Sequence, residues 1–283
     1  MTDGPPAPTG LVVNIRGGKG VPEAPFPARR LTLTAVEWAV LVDGRLANLP
    51  PGLVVREDAV ADRDSAVAGL TRRGILLPAG AAGATEPVPA VAGSFEVLRR
   101  PGFSVRLDVT GRAGTRSGWF AVGSGSVAGV LTLPTGGVEL SLAPDARLGA
   151  ELARSVPDAV PGPGVPGDPA GQGAAPSGRL PLGLLDGATP LDGSPTPEEA
   201  ALAGELLRRT AGTLSCLVLG RTGSSVGAGQ VSWLATGGGW VGLRPVLDGS
   251  PRRLVDVVPV QPAELGAWVE PAVAALLEAS DAA

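Results

Sequence analysis

Apolar side chains recur at every second position in two places: Val105, Leu107 and Val109, and again Leu214, Cys216 and Val218. Period two marks a strand with one buried face, because successive side chains point to opposite sides of a sheet. The two stretches also share their surroundings. Each follows Leu-Arg-Arg (Leu98–Arg100, Leu207–Arg209) and precedes Gly-Arg-x-Gly (Gly111–Gly114, Gly220–Gly223), at a constant offset of 109 positions. This shared frame predicts a helix end, a tight turn, a strand and a glycine hairpin turn in each copy, and it points to an internal duplication.

Around these cores the period changes to that of helices. Thr34 can cap a helix and Glu37 completes the capping box. Leu33 and Trp38 stand at the hydrophobic-staple positions, so a helix is expected from Thr34 to about Val42, before Gly44. Leu53-Val54-Val55 reads as a strand, and Ala59 to Arg73 as a helix with Val60, Val67 and Leu70 as its stripe and Gly74 as its end. Residues 79–87 read as a loop and Val91 to Arg100 as a further helix. Three closely spaced strands follow (Gly118–Val122, Val127–Leu133, Val138–Leu142); spacing this short favours hairpins and an antiparallel sheet. Pro144 to Ala153 reads as a helix.

The second half opens with Leu180–Leu185. Thr196, Pro197 and Glu199 then signal a helix start, with Leu202, Ala203, Leu206 and Leu207 as the expected buried face and Gly212 as its end. Strands are expected at Gln230–Ala235, Trp240–Leu243 and Leu254–Val258. A last helix begins near Pro262 and carries Leu265, Trp268, Val269, Ala272, Val273, Leu276 and Leu277 at helical spacing, with Pro271 predicting a kink. Leu148-Gly149-Ala150 and Leu265-Gly266-Ala267 echo one another, so each half reads as helix, strands, helix.

The organisation that follows is α+β: a central antiparallel sheet with helices and a pseudo-twofold internal repeat. Residues 1–30 form a Pro/Gly-rich arm, in which Leu11–Ile15 could pair as a short edge strand. Residues 31–156 are the first half, 157–179 a Pro/Gly-rich linker or long loop, and 180–283 the second half.

Composition narrows the chemistry. Hydrophobic content of 44% over 283 residues is ample for a core, and the 43 Gly and 29 Pro concentrate in the arm and the linker. The chain has no histidine and no tyrosine, which removes Ser-His-Asp and Cys-His catalysis and histidine metal sites; the single Cys216 removes disulfides and thiolate clusters. The expectation is no cofactor, no metal and no catalytic residue. Net charge is −4, and no basic block suggests nucleic acid. No apolar run is long enough to span a bilayer, and the opening residues lack the charged-then-apolar pattern of a secretory signal, so a cytoplasmic protein is expected.

Each remaining candidate has a plain structural explanation. Gly220–Gly229 could be imagined as a phosphate cradle, but it leads into a strand rather than a helix and reads as a hairpin turn. Cys216 matches Leu107 in the other copy and reads as core. Asp62/Asp64 and Glu198-Glu199 adjoin helix starts, where the helix dipole favours negative charge. Trp38 and Trp268 lie on apolar helix faces. Trp233 and Trp240 flank Gly237–Gly239, and one of them is a candidate exposed anchor for a protein partner.

Four places carry a family likeness: Leu31–Glu37 with Leu49-Pro50; Leu70-Thr71-Arg72-Arg73-Gly74-Ile75; the Gly-Arg-x-Gly after the second-half strand; and Gln230–Leu234 with Gly239-Trp240 and Val257–Leu265. In this order they resemble the EspG family, cytosolic chaperones of actinobacterial type VII secretion. The resemblance implies a pseudo-twofold protein with a central antiparallel sheet and two helical bundles, a monomer or weak dimer. It implies a secreted helical client, PE/PPE-like or of the small Trp-x-Gly type, held soluble until delivery. The loop mapped to Arg112–Ser117 and a bundle formed by the helices at 197–210 and 263–279 would supply the surface. The partner-binding candidates are then Arg112, Arg116, Ser117, Arg208, Arg209, Trp240, Glu264 and Trp268. Two other readings stay open: a carboxylate-dependent enzyme with its cleft between the halves, and a scaffold that self-assembles through an open sheet edge.

Overall fold

In the computed structural model, residues 29–46, 49–54, 62–79, 84–158, 173–185, 194–222, 225–249 and 252–281 are described. The expected strand at Leu11–Ile15, the start of the helix from Ala59, and most of the 157–179 segment lie outside them.

The first half begins with β1 (Arg29–Leu33), α1 (Ala35–Val42), α2 (Arg63–Arg72), β2 (Leu76–Pro78), β3 (Thr85–Pro87) and α3 (Pro89–Arg99). Then come β4 (Phe103–Gly111), β5 (Gly114–Gly123), β6 (Ser126–Thr132), β7 (Val138–Pro144) and α4 (Leu148–Ser155). The second half holds β8 (Gly178–Pro181), α5 (Pro197–Arg209), β9 (Thr210–Thr222), β10 (Ser225–Thr236), β11 (Gly239–Pro245), β12 (Leu254–Val260) and α6 (Leu265–Asp281). Ten strands form one sheet in the order β1-β7-β6-β5-β4-β9-β10-β11-β12-β8, with every pairing antiparallel.

The order is symmetric about the β4–β9 pair. At that junction Leu107 lies opposite Cys216, with Val105 opposite Val218 and Val109 opposite Leu214. This is the register that a duplication with an offset of 109 would produce.

One face of the sheet is closed by α4 and α6. Beneath them Phe103, Val105, Leu107, Phe120, Leu214, Cys216, Val218, Trp233 and Trp240 are buried with Leu148, Leu152, Leu265 and Val269. Three glycines set how closely α6 approaches. A Cβ on Gly220 would stand 3.2 Å from Leu276, one on Gly229 2.5 Å from the Ala272 Cβ, and one on Gly242 2.4 Å from the Trp268 ring. These glycines lie on three adjacent strands and their partners recur every fourth residue, so one ridge of α6 rests directly on backbone.

The opposite face carries two separate helix groups. α1, α2 and α3 bury Trp38, Leu41, Leu70, Phe95 and Leu98 against β5–β7. α5 buries Ala203 and Leu206 against Leu180, Val241, Val255 and Val257.

Both capping boxes form as expected, at Thr34/Glu37 and Thr196/Glu199. Trp38 is fully buried and its indole N–H donates to the Leu53 carbonyl at 3.0 Å. Gly74 ends α2 in the left-handed region (φ +68°), and Arg73 turns back to Glu37 Oε1 at 2.8 Å and the Thr32 carbonyl at 2.7 Å, tying α2 to α1 and β1.

Several expectations are corrected. Of the strand expected at Leu53-Val54-Val55, Leu53 ends a 3₁₀ turn (Pro51–Leu53) and Val54 caps it, while Val55 lies outside the described residues. β1 pairs along β7 from Arg29 to Leu33, so Arg29 and Arg30, read as the end of the arm, belong to the sheet. Within 79–87, Thr85–Pro87 pairs with Leu76–Pro78 as a small hairpin. α5 stops at Arg209 rather than Gly212, with Thr210 donating both its N–H and its hydroxyl to the Leu206 carbonyl. In the second Gly-Arg-x-Gly, Gly220, Arg221 and Thr222 belong to the ladder, paired with Gly227, Val226 and Ser225, and Gly223 lies outside the described residues. Leu207, expected in the core, is 54% exposed.

Candidate partner-binding surface at one end of the sheet

The antiparallel register brings three hairpin turns and two junctions between helix and strand to one end of the sheet. The β4–β5 turn lies there because Gly111 pairs with both Gly114 and Gly212. The start of β9 and the β10–β11 turn join it, since Thr210 faces Thr236 and Thr236 faces Gly239. The β6–β7 turn and the entry to α6 complete the set, through Thr132↔Val138 and Trp240↔Val260. Most of the predicted partner-binding residues therefore converge on this end, but on different sides of it and to different depths.

Arg112 and Arg208 are exposed. Glu264 is exposed and accepts the Gln261 N–H at 2.7 Å, an internal cap at the start of the final helical segment. Arg209 is anchored: its guanidinium donates to Glu205 Oε1 at 2.9 Å and to the carbonyls of Ala174 and Gly173 at 3.1 and 2.9 Å. Trp240 is only 2% exposed and its indole N–H donates to the Pro157 carbonyl at 2.9 Å; Trp233 is fully buried beside it. Neither tryptophan is the exposed anchor expected of that pair. Trp268 is half-buried, edge-on to Trp233 with centroids 5.8 Å apart, and Arg244 stacks 4.7 Å from its ring centre.

The segment mapped as a loop at Arg112–Ser117 is almost entirely strand. Only Arg112 and Ala113 lie outside the β4–β5 ladder, and Gly114 closes the turn at φ +114°. Ser117 is buried under the 3₁₀ turn at Pro51–Leu53, where its hydroxyl donates to Asp108 Oδ1 at 2.6 Å and its N–H donates to Thr132 Oγ1 at 2.8 Å. It presents nothing to a partner. The expected bundle of the 197–210 and 263–279 helices is also divided: α5 and α6 pack on opposite faces of the sheet.

Arg116 is the unusual member of the set. It lies on the α4 side of β5 at the rim of a cavity of about 440 Å³, whose wall includes Val109, Ala113, Leu133, Pro134 and Pro157. Its Nε is buried without a hydrogen-bond partner, as is that of Arg209, whose terminal nitrogens are bonded to Glu205, Ala174 and Gly173. Burial lowers its affinity for the proton, and Arg154 nearby lowers it further against the pull of Glu139. Arg154 itself is committed, donating to Glu139 at 2.6 Å and Glu151 at 3.0 Å, while Arg30 holds Glu151 at 2.6 Å.

The sequence reading missed the middle of the sheet face that carries α3 and α5. There Arg106 pairs with Asp108 at 2.8 Å, and Leu217 and Leu219 are only half-buried between the two helix groups, with half-buried Trp119 packed at the edge of the first. A signal was available. Leu217 and Leu219 are apolar at positions between the core residues of β9, where β4 has Arg106 and Ser104 opposite them.

Cys216 is fully buried, and burial pushes its thiol up to about 12, away from the thiolate a nucleophile needs. Among the described residues no three His, Cys, Asp or Glu side chains cluster as metal ligands, and no helix is long and apolar enough to cross a membrane.

The model of the EspG family matches residues 28–271. A search of curated proteins finds no match. Among solved structures, the chain is similar to the Mycobacterium tuberculosis type VII secretion system chaperone EspG5, solved in complex with a PE25–PPE41 dimer. The TM-score is 0.56 at 12% identity, and the likeness covers 88% of this chain and 97% of the other.

Proposed function

The chain belongs to the EspG family, and from that premise we propose that it is a non-catalytic, cytoplasmic chaperone of a type VII secretion substrate. The observation that carries this reading is the family match across both halves of the sheet, joined to the fold of a chaperone whose complex with a PE–PPE dimer is solved. The client class that follows is a secreted helical protein or helical pair, PE/PPE-like or of the small Trp-x-Gly type. Such helices carry an apolar surface that self-associates unless covered.

The surface offered to the client combines the sheet end carrying Arg112 and Arg208 with the half-exposed strip of Leu217 and Leu219 between α3 and α5, with Trp119 at its edge. Exposed Leu207 extends the apolar area along α5. Hydrophobic side chains interleaved with arginines suit a protein interface, where aromatic and arginine anchors carry most of the energy.

The test is co-expression with the small helical proteins encoded beside its gene, followed by size-exclusion chromatography. The expected result is a stable complex of fixed stoichiometry and a client that precipitates when expressed alone. If every helical neighbour elutes apart from the chain, the chaperone reading fails.

A further inference from the structure

We propose that the cavity beneath the β4–β5 turn is a two-part seat on a protein partner's chain, taking one apolar side chain in the cavity and a neighbouring carboxylate against Arg116. The inference rests on the reading of this protein as a chaperone and adds a chemical requirement on the client. Two observations carry it. The wall includes the apolar side chains of Val109, Ala113, Leu133, Pro134 and Pro157, and about 440 Å³ is room for a leucine-sized side chain together with the atoms that bear it. At its rim stands an arginine whose buried Nε has no partner, while the carboxylates Glu139 and Glu151 are already held by Arg30 and Arg154. An orphaned guanidinium donor is costly, and a carboxylate is the group whose geometry satisfies its planar fork. Arg112, exposed on the turn above, adds positive charge at the mouth. A cationic or wholly apolar partner would leave the Nε donor unmet.

The probe is 4-methylpentanoate, a leucine-shaped carboxylate, with 4-methylpentan-1-ol as its uncharged match. Both are titrated into the full chain and followed by methyl resonances of Val109 and Leu133 and the Arg116 Nε–H. The carboxylate is expected to shift all three saturably, and the alcohol to bind at least tenfold more weakly. Arg116→Met should erase the difference while keeping the thermal midpoint, and Leu133→Trp, which fills the cavity, should abolish both titrations.

Equal binding of the two probes, or an unchanged preference in Arg116→Met, overturns the proposal, as does no binding at all. Binding that emerges only when residues 159–172 are exchanged for Gly/Ser of equal length also overturns it, because the chain's own segment would then be the occupant. Co-elution with a helical neighbour is measured apart from these titrations. A client that binds while the probes do not would sink this inference and leave the chaperone reading standing.

Discussion

The two halves share a strand plan but cover it differently. Over β5–β7, three helices bury Trp38, Leu41, Leu70, Phe95 and Leu98 in a core with aromatic rings at its centre, Trp38 and Phe95 lying 6.2 Å apart. Over β8, β11 and β12 the described cover is α5 with Leu184 and Leu185 beside it: the buried set is Leu180, Ala203, Leu206, Val241, Val255 and Val257, with no aromatic among them. Leu207 is left 54% exposed on the same helix. The sheet is therefore shared, but each half closes its face to a different extent. Where coverage is thin, apolar side chains remain available to a partner, and burying them on binding recovers what folding did not.

The largest effect should come from the better-covered half. Trp38→Ala removes a fully buried ring and its hydrogen bond to the Leu53 carbonyl, and should cost about 3–5 kcal/mol in urea denaturation. Leu206→Ala, the corresponding cut in the thin layer, should cost about 2–3 kcal/mol, since small neighbours such as Ala203 can close in. If the second substitution costs as much as the first, the contrast between the halves is wrong.

A middle-sized effect tests the face that both halves share. Gly242→Ala places a Cβ 2.4 Å from the Trp268 ring and should destabilise by about 1–3 kcal/mol through forced displacement of α6. Gly93→Ala in α3 and Gly204→Ala in α5 meet open space, and each should stabilise by about 0.5–1 kcal/mol from backbone entropy and helix propensity. A neutral Gly242→Ala would mean that α6 is not seated directly on the sheet.

These glycines also mark what could be read from the sequence. Local rules found the elements: both capping boxes, the β4–β7 run, β10–β12, α3 and α6 lie where propensity, periodicity and turn residues put them. What depends on distant partners escaped. Gly220 and Gly229 look like turn residues in a glycine-rich run, and only the position of Leu276 and Ala272 shows that they serve close packing. β1 is a short edge strand whose identity comes from β7, 105 to 113 residues further on. The proposed surface was half legible. The register gathers Arg112, Arg116 and Arg208 at one end, because hairpin arithmetic fixes which turns share an end. Burial of Ser117 and Trp240 is decided by the 3₁₀ turn at Pro51–Leu53 and by Pro157, which no local pattern links to them.

The smallest effect separates the two capping boxes, which are nearly identical in geometry. Thr34 accepts the Glu37 N–H at 3.2 Å and Thr196 accepts the Glu199 N–H at 3.2 Å, so each Thr→Ala change should cost about 1 kcal/mol. Their settings differ. Glu37 pairs with Arg73 from the end of α2, whereas Glu199 pairs with Arg252 ahead of β12, and the two carboxylate side chains are covered almost equally. In the second half the Thr196 backbone N–H holds the Glu199 carboxyl below the usual range, with help from Arg252, and the hydrogen bond from Arg179 does the same for Asp256. A carboxyl depressed by folding stabilises the native state above its unfolded value, and that contribution is lost as pH falls through the lower folded value. Acid should therefore draw part of its effect from the thin half. The double variant Glu199→Gln, Asp256→Asn should lose less of its urea midpoint than the parent between about pH 6 and pH 3, the range that spans ordinary carboxyl titration. Equal losses in the two proteins would place the acid sensitivity outside the second half. A smaller loss in the variant would mean that the half with the lighter apolar core relies more on its surface ion pairs, which salt would then weaken as well.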